Sequence, residues 1–256
     1  MIYLARGFVT LLAAGVLFGC KSDNPTASIP TTPEGEAAGV IVEAVVPAIT
    51  QTYLGAYVGG FKKPGGGCGN LSNVCSGGSA EYCPGSEGGV VNFTACGIGG
   101  YTVDGSIDIT GDALFGTADF DLHIGDVTID AEVAYSASAD PPCLHETFSS
   151  FSALSPKGSV NGFGGFSFCD LTPEDGRIFP TSGNLNGLVT TNKGSYGYSL
   201  WIPEDFPEGE GIRHTASEKG DVTIVISTPD FSEPLLYCYT NVYTREVDCE
   251  PVDGEF

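Results

Sequence analysis

Six carboxylates recur at alternate positions of three neighbouring stretches of chain: Asp104 and Asp108, Asp119 and Asp121, Asp130 and Glu132. Side chains two residues apart share a face of an extended strand, and adjacent strands lie about 4.8 Å apart. Hairpins joining these stretches would therefore bring the carboxylates together. Hard oxygen ligands at that spacing suit Ca2+, which takes about 6–8 oxygens. No DxDxDG loop accompanies them, however, and alternating carboxylates are also what a solvated strand face carries. The solvated face is the favoured reading, with Asp104, Asp108, Asp119, Asp121 and Asp130 the ligands of any Ca2+ site. No other cofactor is called for.

The same carboxylates would serve a glycosidase only if burial raised the pKa of one beside an ionised partner, and nothing in an alternating polar pattern signals burial. The three histidines are His123, His145 and His214, and no GxSxG elbow accompanies the serines. His123 is an outward residue of an acidic stretch and His214 sits in a polar loop. His145, beside Cys143 and Glu146, is expected in a disulfide-anchored loop. No catalytic residue is assigned. The glycine-rich segment 62–89 lacks both GxGxxG and GxxxxGK[ST], so it carries no phosphate-binding signature. Tyr196, Tyr198, Trp201 and Phe206 invite carbohydrate stacking, with core packing the commoner role. Tyr196, Tyr198 and Leu200 share one strand face and Trp201 takes the other, so only one set can face solvent.

The elements that must position these groups are mostly strands. Apolar and polar residues alternate over 89–95, 101–110, 114–124 and 127–135, the last three joined by short Gly-Asp links, which predicts an antiparallel meander with one buried and one acidic face. Further strand signals cover 158–169, 183–191, 195–202, 221–227, 235–243 and 246–252. Residues 40–46 suit a strand or an extension of the next element. After Pro47 the spacing of Ile49, Tyr53, Tyr57 and Phe61 predicts a short helix. The expected fold class is mainly β: an antiparallel meander forming a curved sheet, sandwich or incomplete barrel, with one short N-terminal helix and disulfide-held loops.

Ahead of this domain, Arg6 precedes an apolar run over 7–18 that is too short to span a bilayer, which needs about 20 residues. It reads as an export signal. Leu17-Phe18-Gly19-Cys20 resembles the lipobox of bacterial lipoproteins. That resemblance implies removal of residues 1–19, lipidation of Cys20 and attachment to a membrane through two or three acyl chains, where one chain would hold only marginally. Residues 20–39, rich in Pro, Thr and Ser, then form the lipidated end and its flexible tether. Residues 40–256 form a single disulfide-bonded domain, with 62–89 as a Gly/Cys loop.

Setting Cys20 aside leaves eight of the nine cysteines: Cys68, Cys75, Cys83, Cys96, Cys143, Cys169, Cys238 and Cys249. An even set without CxxC or a Cys/His pairing of zinc-site type reads as structural disulfides in an oxidising compartment. Eight cysteines allow about 105 pairings. Cys238 and Cys249 flank a hairpin and should face one another across it. Locality suggests Cys83 with Cys96, Cys68 with Cys75 and Cys143 with Cys169.

The formal charge of −22 repels nucleic acid and anionic headgroups, leaving the acyl chains as the membrane contact. The expected protein is a lipid-anchored component of the bacterial cell envelope, facing the periplasm or the exterior. Its role is binding or structural, with a protein or carbohydrate ligand and no nucleic acid. The rivals are a hydrolase of polysaccharide or ester and a Ca2+-dependent adhesion module.

Overall fold

The computed structural model describes residues 29–59, 67–71, 74–98, 100–112, 114–139, 142–169, 180–203, 221–241 and 247–252. The lipobox, Phe206 and His214 lie outside the described residues.

Among the described residues one helix, α1 (Pro33–Gly59), precedes every strand. Thr32 caps it: the Thr32 Oγ1 accepts from the Gly35 N–H at 3.2 Å and the Thr32 carbonyl from the Glu36 N–H at 3.0 Å. Pro33 opens the first turn, where its missing N–H costs nothing, and Glu34 and Glu36 complement the dipole there. From Ala37 to Ile49 the helix is apolar on nearly every side, and Ala37, Ala38, Val40, Ile41, Ala44, Val45, Val46, Ala48 and Ile49 are all buried. A helix of that kind must be enclosed. The helix therefore begins well before Pro47, takes up residues 33–39 that composition alone assigns to the tether, and carries Pro47 inside it. Among the described residues no helix is long and apolar enough to cross a membrane.

The enclosure is a sheet that, among the described residues, has thirteen strands in strict chain order, every neighbour antiparallel. The strands are β1 (Gly69–Asn70), β2 (Ser79–Pro84), β3 (Gly88–Ile98), β4 (Tyr101–Gly111), β5 (Phe115–Ile124), β6 (Val127–Ala139) and β7 (Pro142–Ser155). They continue as β8 (Gly158–Phe168), β9 (Ser182–Thr191), β10 (Gly194–Pro203), β11 (Asp221–Ser227), β12 (Pro234–Asn241) and β13 (Val247–Pro251). The helix touches every strand from β3 to β12, so the open sheet curls around it. Of the closures left open above, the molecule takes the single curved sheet.

Curvature comes from glycines paired with large inward residues. Phe93 faces Gly105, which faces Leu122; Phe151 faces Gly162, then Gly187, then Tyr198. Gly105 has φ 111, and a Cβ there would run into the Asp121 carbonyl oxygen. At Gly187 a Cβ would meet the Asn161 carbonyl oxygen. Bare backbone at these points lets neighbouring strands bend over an aromatic ring.

Besides the short helix after Pro47 and the tether reaching to residue 39, three further expectations are corrected. Residues 142–155 form β7, so His145 lies on a strand rather than in a loop. The strand escapes a period-two reading because a bulge shifts its register between Phe148 and Phe151: Leu144, Glu146 and Phe148 are buried before it, Phe151, Ala153 and Ser155 after it. Within 62–89, β1 and β2 form a hairpin that composition reads as loop. The Cys83–Cys96 and Cys68–Cys75 pairings are replaced by Cys68–Cys83 and Cys75–Cys96. The β1–β2 register places Cys68 opposite Cys83, whereas Cys75 lies in the connection that lies against β3. Cys143–Cys169 and Cys238–Cys249 are as expected, each a facing pair with Cα atoms about 4.1 Å apart.

Candidate binding face

With α1 filling the concave side, the groups able to meet a ligand stand on the convex, outward side, at positions alternating with the core. That side has two chemically distinct halves. On β4–β6, Asp108, Asp119 and Glu132 stand in one register row, and Asp121 faces Asp130 in the next. All five are exposed. Like charges facing one another across strands are mildly destabilising, a cost that water and salt reduce.

Asp104 differs. Its Oδ1 accepts from the Ala95 N–H at 2.7 Å, and Ala95 has φ 46 at the bulge of β3. The carboxylate thereby satisfies a backbone donor that the bulge removes from the ladder. Among the described residues, the one group of three ligating side chains whose atoms converge within 4.8 Å is Cys68, Glu81 and Cys83. Its two sulfurs are bonded to each other. The acidic rows are thus drawn into lines along the sheet, not gathered around a point.

Two of the histidines, His123 and His145, sit on the same outward side. His123 lies opposite Asp104, and its Nδ1 is 3.1 Å from Thr128 Oγ1. His145 Nδ1 is 2.9 Å from Ser167 Oγ, a nucleophile–base distance. The residues facing that pair in register are Ser136 and Ser182, neither able to act as the carboxylate that orients a catalytic imidazole.

The second half, on β8–β13, carries aromatics and amides. One row runs Phe163, Asn186, Ser199, Val225, Tyr237, Glu250; the next runs Asn184, Trp201, Thr223, Tyr239, Asp248. Trp201 is half-buried while its neighbours Leu200 and Ile202 are buried, and Tyr198 is fully buried on the inner side. The division of the aromatic set between core and surface follows the expected alternation, with Trp201 outward. Thr223, flanked by Trp201 and Tyr239, is only 6% exposed despite pointing outward. Tyr239 Oη donates to Glu250 Oε1 at 3.4 Å. Partial burial, then the nearby Glu250 charge, pushes its phenol up to about 12, because both disfavour the phenolate.

A turn finishes this half. After β11 the chain folds so that Phe231, with φ 60 and 48% exposed, lies against Gly197 beside Leu188. Asp230 holds the turn: its Oδ1 accepts from Thr228 Oγ1 at 2.7 Å, Ser232 Oγ at 2.8 Å and the Ser232 N–H at 3.2 Å. Those bonds, Thr228 first, lower its carboxyl to about 2. Phe163, Tyr237, Tyr239 and Phe231 do not figure among the sequence candidates. The signal for the tyrosines is present in the strand 234–241, where they alternate with Leu236, Cys238 and Thr240.

At the mouth of the sheet a cleft of about 530 Å³ is lined by the start of α1 and the turns at Lys157 and Asn192. Lys157 Nζ reaches Glu43 Oε2 at 2.9 Å, tying the turn to the helix. Comparison with family models, with curated proteins and with solved structures returns no match for the chain.

Proposed function

We propose that this chain is a lipid-anchored cell-envelope protein, facing the periplasm or the exterior, whose role is non-catalytic binding. The binding role rests on one observation: rows of half-exposed aromatic and amide side chains stand on the outward face of a sheet whose inner face is filled by its own helix. A rigid scaffold presenting amphipathic rings with hydrogen-bonding groups between them is suited to recognition. The anchored address is supported by cysteine use. The four disulfides take up every cysteine from Cys68 onward, leaving Cys20 for the acyl chains. Disulfide density of this kind belongs to oxidising compartments.

Mass spectrometry of the mature N-terminus, with Cys20→Ala as the partner experiment, tests the address. The native chain should begin at Cys20 and carry acyl mass, and Cys20→Ala should no longer partition into detergent with the membrane fraction. A membrane-bound native protein lacking acyl mass on Cys20 overturns the anchoring.

A further inference from the structure

We propose that the outward face of β8–β12 is a binding platform for an uncharged polysaccharide, with Phe163, Trp201, Tyr237 and Tyr239 stacking on sugar rings and Asn184 and Asn186 bonding their hydroxyls. This rests on the binding role above and assigns its ligand class.

A sugar ring has an apolar C–H face and a hydroxyl rim. A site for it needs flat apolar rings bordered by groups that both donate and accept. On this face Asn186 faces Phe163, Asn184 and Thr223 flank Trp201, Thr223 also faces Tyr239, and Tyr237 stands between Val225 and Glu250. The amides retain capacity, since between them the one bond is Asn186 Nδ2 donating to Asn184 Oδ1 at 3.3 Å. Phe163 and Tyr237 stand four strand spacings apart, about 19 Å, a length that suits a chain of sugars rather than a single one. A protein partner would favour an apolar centre that becomes fully desolvated within a polar rim. Here polar groups reach the middle of the face: Ser199 stands in one row beside Val225, and in the next Asn184, Thr223 and Asp248 alternate with Trp201 and Tyr239.

Charge narrows the class. Among the described residues the only lysines or arginines are Lys157 and Lys193, both in turns beyond the platform. Among the described residues the face thus offers no cation to hold a phosphate, sulfate or uronate, and Asp248 and Glu250 stand at its β13 edge. An anionic polymer is repelled by that edge and by the net charge of −22, whereas a neutral one is indifferent to both. Phe231 adds a fixed apolar wall beside Leu188. A non-glycine residue at φ 60 is held there by the Asp230 bonds, so its ring is oriented before any ligand arrives.

The chain has one tryptophan, so its emission reports on the platform alone. The test titrates the full mature chain with the hexaoses of cellulose, amylose, mannan and N-acetylchitin, with sulfated dextran and polylysine as charged comparators. At least one uncharged hexaose should change Trp201 emission saturably. Tyr237→Ala and Asn186→Ala should each weaken it by about tenfold, and Asp119→Asn on the acidic half should leave it unchanged. Two surface variants on different strands keep the test intact if one fails to fold, which far-ultraviolet circular dichroism checks. A saturable response to a charged probe alone overturns the uncharged-sugar class while leaving a binding role standing. A sugar response that both variants leave intact overturns the platform. Silence towards every probe counts against both.

Discussion

Asp104 and Asp108 share a strand and a face, yet their surroundings separate them. Asp104 holds the Ala95 N–H at the β3 bulge, while Asp108 faces Asp119 across the ladder. Asp104→Ala should therefore destabilise the domain by about 1 kcal/mol, the net worth of one such hydrogen bond. Asp108→Asn should be neutral or stabilising, by up to about 1 kcal/mol, through relief of like-charge repulsion. Urea melts at low and at high salt check the pair: only the Asp108→Asn effect should shrink as salt screens it. The sequence pattern displays both residues identically. What distinguishes them is a bulge on the adjacent strand, nine residues earlier, formed by Ala95 in a conformation no composition announces.

At the scale of the element, the turn from Thr228 to Glu233 is closed by Asp230 and by two backbone bonds, the Phe231 N–H to the Thr228 carbonyl and the Thr228 N–H to the Glu233 carbonyl. The folded carboxyl titrates at about 2 against an ordinary 3.8, so the folded state binds fewer protons than the unfolded one across that interval. The support it gives is complete above 3.8 and is lost as pH falls through about 2. Carboxyl resonances followed by NMR should place Asp230 well below 3.8, and Asp230→Asn should release Phe231 without unfolding the sheet. Elements were legible in proportion to their regularity. The even alternation of β4, β5 and β6 reads directly from the chain, as do the strands from β8 onward. The bulge in β7 breaks the period on which such reading depends, and β2 is too short and too close to glycines to stand out. The start of α1 was hidden because Ala and Gly in 35–39 look like tether until the sheet that buries them is known. The outward aromatics were half legible: Trp201 by alternation, Tyr237 and Tyr239 only once β12 was fixed beside β11.

On the scale of the whole molecule, α1 and the sheet share one core and neither has another partner among the described residues. Ile41 is fully buried within it, so Ile41→Ala should cost about 2–5 kcal/mol, through lost burial and the cavity left behind. With disulfides intact, helix signal and Trp201 emission should be lost together in that variant and in the parent. A helix that melts first would show the core to be divided. The enclosure of α1 also dictates an order of assembly. Each hairpin of the meander joins strands adjacent in the chain and closes quickly, but the helix, translated ahead of every strand, touches β12 near the other end. It must wait, apolar on nearly every side from Ala37 to Ile49, until the last strands arrive. Refolding should accordingly be slow and vulnerable to aggregation in its early stages, and in the cell that interval is when α1 would most need a chaperone to shield it.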